Sequence, residues 1–236
     1  MSRLRVMGII PARYSSTRWE GKVLAEVDGC PLIEHAWRSL TAATTIDLAV
    51  VATDDERIAR WAGANKVPWI YTSPEYRNGT ERCARIASWH AADIYVNVQA
   101  DQVGLEPRVI DRLVEKLASR KDWQMATPAT RDGLPQARRS IDSVLVEPLV
   151  GDLAGRFWRG GNGSAGTNVL RHLGVYAYRR APLLEYSRAE PVPEEQRLSL
   201  EQWRAIELGW SIGLVRVRSK AISYDREKKG ELIVHS

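Results

Sequence analysis

The feature that most constrains the fold of this chain is a regular alternation of short apolar runs with longer segments of helical periodicity. The apolar runs have the length of β-strands and are rich in β-branched and aromatic residues; they lie at 4–10, 47–53, 69–72 and 94–98. Between them, apolar residues recur three and four positions apart, which is the spacing of one helix face. Strands connected by helices form right-handed crossovers. The sequence therefore predicts an α/β domain with a mostly parallel sheet and helices on both faces.

The second half of the chain has a different rhythm. Residues 132–168 are rich in Gly, Arg and Pro and contain only brief apolar runs. A strand is predicted at 169–178, a helix at 198–208 and a last strand at 214–217. A second domain would need a linker and a dense core of its own, and neither is evident. We therefore predict a single domain over residues 1–236, in which 130–190 form an inserted β-rich arm.

The composition limits the classes of function. The chain has 236 residues, of which 44% are hydrophobic, so a sizeable core can form. No run approaches the roughly 18 apolar residues of a membrane-spanning helix, and the N-terminus lacks a signal-peptide core. We therefore predict a cytoplasmic protein with no membrane partner. The net charge of +5 indicates an anionic partner, but no nucleic-acid-binding motif accompanies it, so we expect no nucleic acid.

The loop that follows the first predicted strand concentrates basic and hydroxyl side chains. Residues 11–22 bring Arg13, Arg18 and Lys22 together with three aliphatic hydroxyls, including that of Ser16. Cationic side chains and backbone amides near a helix N-terminus suit a polyphosphate. The segment lacks the first Gly and the final hydroxyl of a Walker A loop, so it is not a P-loop of that kind. A solvated basic loop is the alternative that composition leaves open.

Three further residues are candidates for chemistry. Asp101 directly follows the buried run at 94–98, and a carboxylate at the carboxyl end of a strand is well placed to hold Mg²⁺ against substrate phosphates. Many Asp residues in the position of Asp101, however, only cap the next turn. Asp225 follows the last predicted strand and is a candidate second ligand. His172 stands apart from the other histidines, because those lie on predicted helices or at the chain end.

Four segments together resemble one family. They are Ile9-Ile-Pro-Ala-Arg-Tyr-x-Ser-Thr-Arg-x-x-Gly-Lys22, Asn78-Gly-Thr-Glu-Arg82, Val96-Asn-Val-Gln-x-Asp101 and Leu170-Arg-His-Leu-Gly-Val-Tyr-x-Tyr178. They occur in the order of the CMP-Kdo synthetases (3-deoxy-manno-octulosonate cytidylyltransferases), which belong to the sugar nucleotidyltransferases. Leu200-Glu-Gln-Trp-Arg204 is similar to a further motif of that family. The resemblance runs from about residue 5 to about residue 225.

The resemblance implies a Rossmann-like fold of the nucleotide-diphospho-sugar transferase type, a homodimer built partly through the arm, and Mg²⁺-dependent transfer of CMP from CTP to an acidic sugar. Carried over by position, Lys22, Asp101 and Arg18 are the catalytic residues, and Asp101 and Asp225 bind the metal. The substrate-binding residues are Arg13, Ser16, Asn78, Gly79, Thr80, Arg82, Gln99, Arg159, His172, Glu201 and Gln202. Among these, His172, Glu201 and Gln202 face the sugar, and Arg159 meets its carboxylate.

The chain also departs from the family pattern near these residues. Trp19-Glu-Gly-Lys22 replaces Leu-Pro-Gly-Lys, and Ala100-Asp-Gln-Val103 replaces Gly-Asp-Glu-Pro. The segment around Asp225 is changed as well. These departures leave three alternatives open: Kdo or a Kdo-like acceptor, another anionic acceptor such as a phosphonate or an antibiotic-pathway acid, and a catalytically silent nucleotide-binding dimer.

Overall fold

The computed structural model of the chain describes residues 3–15, 19–161, 168–226 and 232–235, with the backbone alone from Asp225 onward. The strands in this part are β1 Val6–Ala12, β2 Glu26–Val27, β3 Cys30–Pro31, β4 Leu48–Thr53, β5 Trp69–Tyr71, β6 Ile94–Val98, β7 Gln102–Val103, β8 Met125–Thr130, β9 Val144–Pro148, β10 Ala154–Arg159, β11 Leu170–His172, β12 Val175–Arg179, β13 Ile212–Arg216, β14 Ile222–Arg226 and β15 Leu232–His235. The α-helices are α1 Leu32–Thr41, α2 Glu56–Ala64, α3 Gly79–Trp89, α4 Pro107–Ser119, α5 Leu134–Ala137, α6 Arg180–Tyr186, α7 Pro193–Leu198 and α8 Gln202–Glu207, and Lys22–Leu24 form one 3₁₀ turn.

Ten of these strands form one sheet. Nine of them follow the order β10-β9-β11-β8-β12-β6-β1-β4-β5, and the tenth, β13, pairs with β8 beside this path. Strand β1 is parallel to β4 and β6, β4 is parallel to β5, and β13 is parallel to β8. Strand β12 lies between β6 and β8 and is antiparallel to both. Strands β11, β9 and β10 extend one edge in antiparallel fashion. The predicted α/β class, with parallel crossovers at its centre, is confirmed.

The two faces of the sheet are covered by different helices, because successive side chains of a strand point to opposite sides. On β1, Val6 and Ile10 belong to the same buried cluster as Leu40 of α1 and Leu113 of α4. Met7 and Ile9 belong to the cluster on the other face, which includes Ile86 of α3 and residues of α6 and α8. No described helix is long and apolar enough to cross a membrane. The sheet is thus buried on both faces, and its parallel strands end at one common edge.

The predicted arm contributes to this sheet. Strands β9, β10 and β11 form its outer edge, whereas β12 lies beside β6 near its centre. The strand predicted at 169–178 is in fact two strands, because the chain turns at Leu173 and Gly174, where the Val175 amide donates to the Leu173 carbonyl at 2.7 Å. The division into one domain with an arm at 130–190 stays a prediction.

A smaller sheet places β14 beside the loop after β6. Strand β14 is antiparallel to β7, with Ile222 opposite Val103 and Ser223 opposite Gln102. Strand β15 pairs with the other edge of β14. The chain therefore returns, about 120 residues later, to the loop that contains Asp101.

Candidate active site

A cavity of about 1380 Å³ opens at the carboxyl edge of the parallel strands. This is the position at which ligands bind in open α/β sheets. The predicted site residues that line it are Arg13, Lys22, Asn78, Gly79, Arg82, Gln99, Asp101, Arg159, His172, Glu201 and Gln202. Thr80 lies behind this wall and is buried. Ser16, Arg18 and the side chain of Asp225 lie outside the described residues.

The first loop is closed on itself by Tyr14 and Gly21. The Gly21 amide donates to the Tyr14 carbonyl at 2.8 Å. Gly21 has a φ of 70°, a backbone conformation that favours glycine. A Cβ at this position would also lie only 2.8 Å from the Tyr14 ring, so the lack of a side chain lets the loop close. The guanidinium of Arg57 lies 3.2 Å from the centre of the Tyr14 ring and so ties the loop to α2. This closure fixes the start of the 3₁₀ turn and with it the position of Lys22.

Lys22 and Asp101 form an ion pair between the two loops. Lys22 Nζ lies 2.6 Å from Asp101 Oδ2, and the side chains are only 12% and 16% exposed. The other carboxylate oxygen, Asp101 Oδ1, is buried and has no hydrogen-bond partner in the described part of the chain. A buried carboxylate oxygen without a partner is costly unless a further donor or cation satisfies it. Asp101 therefore has the chemistry of a cation ligand.

The backbone of Asp225 lies close to Asp101. The Tyr224 amide donates to the Asp101 carbonyl at 3.2 Å, so β14 is hydrogen-bonded to the Asp101 turn itself. Among the side chains that the structure describes, no group of three His, Cys, Asp or Glu could hold a metal ion. The carboxylate of Asp225 is not among them.

The residues of the Asn78 segment are bound within the protein. Asn78 caps α3 through Oδ1, which accepts from the Glu81 amide at 2.9 Å, while its Nδ2 donates to Tyr186 and Glu195. Arg82 is buried and pairs with Asp54 at 2.8 Å. This segment therefore shapes the cavity wall, with its polar side chains already satisfied by internal partners.

Glu201 and Gln202 close the cavity from α8 and the residue before it. Glu201 Oε2 accepts from the amide and the hydroxyl of Thr80 at 3.1 and 2.9 Å, and burial raises the pKa of Glu201. Gln202 Nε2 donates to the Tyr176 hydroxyl at 2.6 Å. Both Glu201 Oε1 and Gln202 Oε1 are buried without a partner in the described part of the chain. Two residues that line this end of the cavity thus each have a buried acceptor oxygen without a described partner. The helix predicted at 198–208 begins only at Gln202, because Ser199 has a φ of 52° and ends α7.

The hydrogen bonds of His172 determine its tautomer. Its Nε2 lies 2.8 Å from Thr127 Oγ1, and that hydroxyl donates its single proton to the Val175 carbonyl at 2.7 Å. The hydroxyl must therefore accept from His172, so Nε2 carries the hydrogen. Burial, together with the neighbouring Arg171, lowers the pKa of His172 to about 3, and the ring is neutral. Its Nδ1 is then a hydrogen-bond acceptor on a residue that lines the cavity.

His172 should make stability depend on pH in the acid range. Between the folded pKa of about 3 and the ordinary histidine pKa of 6.5, the unfolded chain binds up to one more proton than the native chain. Stability contributed by the neutral ring is therefore complete above about pH 6.5 and falls on acidification, by up to about 1.4 kcal/mol per pH unit. Urea unfolding of His172→Gln from about pH 4 to about pH 7 should show a shallower slope than the wild type. His90→Gln is the matched control, because His90 is exposed; equal slopes in all three proteins would contradict the assignment.

Two arginines bind backbone carbonyls at the cavity. Arg159 donates to the carbonyls of Leu198 and Ser199 at 3.0 Å each, so it holds the end of α7 against β10. Arg171 is buried and donates to three carbonyls beyond β8 and β13. Arg171 belongs to the quoted motif at 170–178, but sequence reasoning did not single it out, since its partners lie about 40 to 50 residues away in the chain.

The cavity has a cationic end and a second end that carries the neutral polar side chains of His172 and Gln202. Arg13, Lys22 and Asp101 lie at the ends of β1 and β6, and His172 with Gln202 lies at the other side of the same cavity. The Gln99 amide donates to the Gly174 carbonyl at 3.1 Å and joins the two sides. Such a cavity can hold a polyanion at one end and a hydroxyl-bearing partner at the other.

Comparison with known proteins gives matches over nearly the whole chain. A family model described as cytidylyltransferase matches residues 7–212. A mitochondrial 3-deoxy-manno-octulosonate cytidylyltransferase from Arabidopsis thaliana is 37% identical over 236 residues, which cover 94% of this chain and 80% of that protein. The protein of the same name from Solibacter usitatus is 34% identical and covers 94% and 90%. A solved structure of CMP:2-keto-3-deoxy-manno-octonic acid synthetase complexed with CTP aligns with a TM-score of 0.81 at 29% identity, covering 91% of each chain.

Proposed function

Because this chain belongs to the 3-deoxy-manno-octulosonate cytidylyltransferase family, we propose that it transfers CMP from CTP to an acidic sugar, Kdo or a Kdo-like octulosonate, and releases pyrophosphate. The proposal rests on one observation above all. The Lys22–Asp101 pair shares its cavity with His172 and Gln202, so a polyphosphate and a hydroxyl-bearing acceptor can meet there.

The triphosphate is assigned to the cationic end. Lys22 and Arg13 supply positive charge at the end of β1, and Arg18 with Ser16 completes this set in the proposal. Attack on a phosphorus surrounded by anionic oxygens requires charge neutralisation and alignment more than a strong base. Asn78, Gly79, Thr80 and Arg82 border the base and ribose by fixing the wall at the start of α3, in keeping with their internal hydrogen bonds.

Magnesium is assigned to Asp101 and Asp225. The buried, unpartnered Oδ1 of Asp101 is the observation that fits a cation, and oxygen ligands of this kind suit Mg²⁺. Hydrogen bonding of β14 to the Asp101 turn brings the Asp225 backbone to the same place. When bound there, the ion would neutralise phosphate charge and lower the pKa of the attacking hydroxyl.

The acceptor is assigned to the end with His172 and Gln202. Neutral His172 can accept a hydrogen bond from a sugar hydroxyl at Nδ1, and Glu201 and Gln202 have unpartnered oxygens for two more. Arg159 and Gln99 lie on the same wall, and Arg159 adds positive charge for the sugar carboxylate. A neutral ring with a pKa of about 3 is a weak base, so His172 orients the acceptor and does not deprotonate it.

The transfer then follows as an in-line displacement. The oxygen of the anomeric hydroxyl forms a bond to the α-phosphorus, and the bond from that phosphorus to the bridging oxygen of the β-phosphate breaks. Pyrophosphate leaves with the bonding electrons, and the hydroxyl proton passes to water. The protein contributes by neutralising the phosphate charge and by holding CTP and the acceptor sugar in line for this attack.

Pyrophosphate release from CTP and Mg²⁺ with a panel of acceptors tests the function. Kdo should be the preferred acceptor, and simple phosphonates and other sugar acids should be poor ones. If a phosphonate were preferred over every sugar, the acceptor would be reassigned to the phosphonates. This alternative is tested because Gln102 and its neighbours depart from the family pattern. Measurable CTP binding without pyrophosphate release from any acceptor would instead favour a silent nucleotide-binding protein. Salt-sensitive DNA binding with no preference for nucleotides would favour a nucleic-acid module.

The homodimer is part of the same proposal. Ile141, Leu149 and Val150 of the arm are large apolar side chains that are 66%, 49% and 95% exposed. Exposed apolar groups of one segment favour contact with a partner surface. Sedimentation equilibrium should give twice the mass of the chain, and a monomer at micromolar concentration would remove this part of the proposal. The cytoplasmic location stays a prediction.

A further inference from the structure

Arg171 is a buried cation whose partners are all main-chain oxygens. The residue is only 5% exposed. Its Nε, Nη1 and Nη2 donate to the carbonyls of Asp132, Ala221 and Ser219 at 2.9, 2.8 and 3.2 Å. In the described part of the chain, none of its hydrogen bonds goes to a carboxylate. Burial lowers the pKa of Arg171, whereas the charge of the nearby Asp132 carboxylate raises it, so the fork of hydrogen bonds and this one anion together compensate for burial of the charge.

The three carbonyls come from two neighbouring loops. Ser219 and Ala221 lie in the link between β13 and β14, and Asp132 follows β8. Asp132 Oδ2 also accepts from the Ser219 amide at 2.8 Å, and Ser219 Oγ accepts from the Ala221 amide at 3.1 Å. Ser219 and Ala221 are both buried. Arg171 is thus the centre of a small polar cluster that fixes the chain just before β14 begins.

Strand β14 in turn forms one wall of the Asp101 turn. It pairs with β7 directly after Asp101, and the Tyr224 amide donates to the Asp101 carbonyl at 3.2 Å. This pairing is short, since only Ile222 and Ser223 are in register with β7. So short a pairing needs an anchor at its start, because few hydrogen bonds otherwise oppose local opening.

We propose that Arg171 is a positioning residue that anchors β14, and with it the Asp225 backbone, against the Asp101 turn. The structural half of this proposal stands on the contacts of Arg171 alone. Its catalytic half rests on the proposed function, because it assigns to β14 the second metal ligand. Since His172 adjoins Arg171 on β11, the same strand then fixes both the acceptor side and the metal side of the cavity.

Three variants test the proposal. Arg171→Met keeps the length of the side chain and removes the charge and all five donors, whereas Arg171→Lys keeps the charge and reaches fewer carbonyls. Arg179→Met is the matched control: Arg179 also donates to three carbonyls, those of Trp123, Leu117 and Arg120, but lies opposite Ile94 at the far end of the sheet. If Arg171→Met does not fold, as judged by circular dichroism, Arg171→Lys provides the comparison.

Amide hydrogen exchange over 219–226 is the readout that does not depend on activity. Exchange there should be about 10-fold or more faster in Arg171→Met, intermediate in Arg171→Lys, and unchanged in Arg179→Met. Unchanged exchange in both Arg171 variants, or equal acceleration in the Arg179 control, would overturn the anchoring role. This comparison holds even if the wild-type protein transfers CMP to no acceptor.

Kinetics test the catalytic half separately. Misplacement of a ligand by about 1 Å can cost about 100-fold in rate, so kcat of Arg171→Met should fall by about 10- to 100-fold. The Mg²⁺ concentration for half-maximal rate should rise, while KM for CTP changes by less than about 3-fold, since the other phosphate contacts remain. Faster exchange over 219–226 with wild-type kcat and Mg²⁺ dependence would show that β14 is anchored by Arg171 without serving catalysis, and the catalytic half would be wrong.

Discussion

Asp101→Asn is expected to lower kcat by about 1000-fold or more at saturating CTP, a loss at the upper end of those seen when one electrostatic group is removed from an active site. The substitution replaces a carboxylate by a neutral amide of the same shape. It removes the negative charge that pairs with Lys22 at 2.6 Å, and it turns one of the two carboxylate oxygens into an amino group, which cannot ligate a cation. The fold should survive, because the bond from Tyr224 to this residue uses the Asp101 main-chain carbonyl.

Asp111→Asn is the matched control for this experiment. Asp111 lies on α4, outside the cavity, and the same substitution can be made there. Its carboxylate accepts from the amide and the hydroxyl of Thr45 at 2.8 Å each. Pyrophosphate release should be near normal in Asp111→Asn and almost absent in Asp101→Asn, with similar urea midpoints for Asp101→Asn and the wild type. Full activity of Asp101→Asn would remove the assignment of this residue to the metal, and loss of activity through unfolding would show as a lowered midpoint.

The elements that the sequence predicts well are those whose signals are local. Strand β6 has the bounds predicted at 94–98, because a continuous apolar run marks it. Helix α4 likewise follows from its own residues, since Pro107 opens a strongly amphipathic segment. Asp55 caps α2 through its carboxylate, which accepts from the Arg57 amide at 2.8 Å. In each case the decisive residues lie within one element, so the pattern alone is sufficient.

Elements fixed by distant partners could not be predicted in this way. Strand β8 contains Pro128, a residue that argues against a central strand, and its pairing with β12 and β13 depends on residues about 50 to 90 positions away. The end of α7 at Ser199 is held by Arg159, whose hydrogen bonds reach about 40 residues along the chain. The helical spacing of Trp89 with Ala84 and Ile86 favours a packed ring, yet Trp89 is 49% exposed, and the Arg85 guanidinium lies 4.0 Å from the centre of its ring.

The candidate site shows the same division. Lys22, Asp101 and His172 come from motifs, and the structure places all three on one cavity. Their supporting contacts are invisible to motifs: Thr80 meets Glu201 across 121 positions, and the tautomer of His172 follows from the two hydrogen bonds of Thr127. A motif gives the identity of a side chain at a site. The partners that set its charge and orientation come from strands and helices far away in the sequence.

A buried ion-pair network supports the acceptor side of the cavity. Arg204 of α8 is 1% exposed and lies between two carboxylates: its Nη2 is 2.6 Å from Glu195 Oε1 and 2.9 Å from Glu81 Oε1, and its Nε donates to Glu195 Oε2 at 2.7 Å. Glu81 belongs to α3 and Glu195 to α7, so Arg204 joins three helices. Glu195 also accepts from Asn78 at 3.0 Å, which ties the network to the cavity wall.

Arg204→Met should therefore destabilise the protein by about 3 to 5 kcal/mol, because it leaves the buried carboxylate of Glu195 and the partly buried one of Glu81 without their cation. Arg120→Met is the control: Arg120 pairs with Asp122 at 2.8 Å, but the two side chains are 38% and 59% exposed. An exposed pair is worth about 0 to 1 kcal/mol, so this variant should stay close to the wild type. Urea unfolding at neutral pH measures both. If Arg204→Met were no less stable than Arg120→Met, the network would not be what holds α8, and the position of Gln202 would have to depend on the apolar contacts of that helix instead.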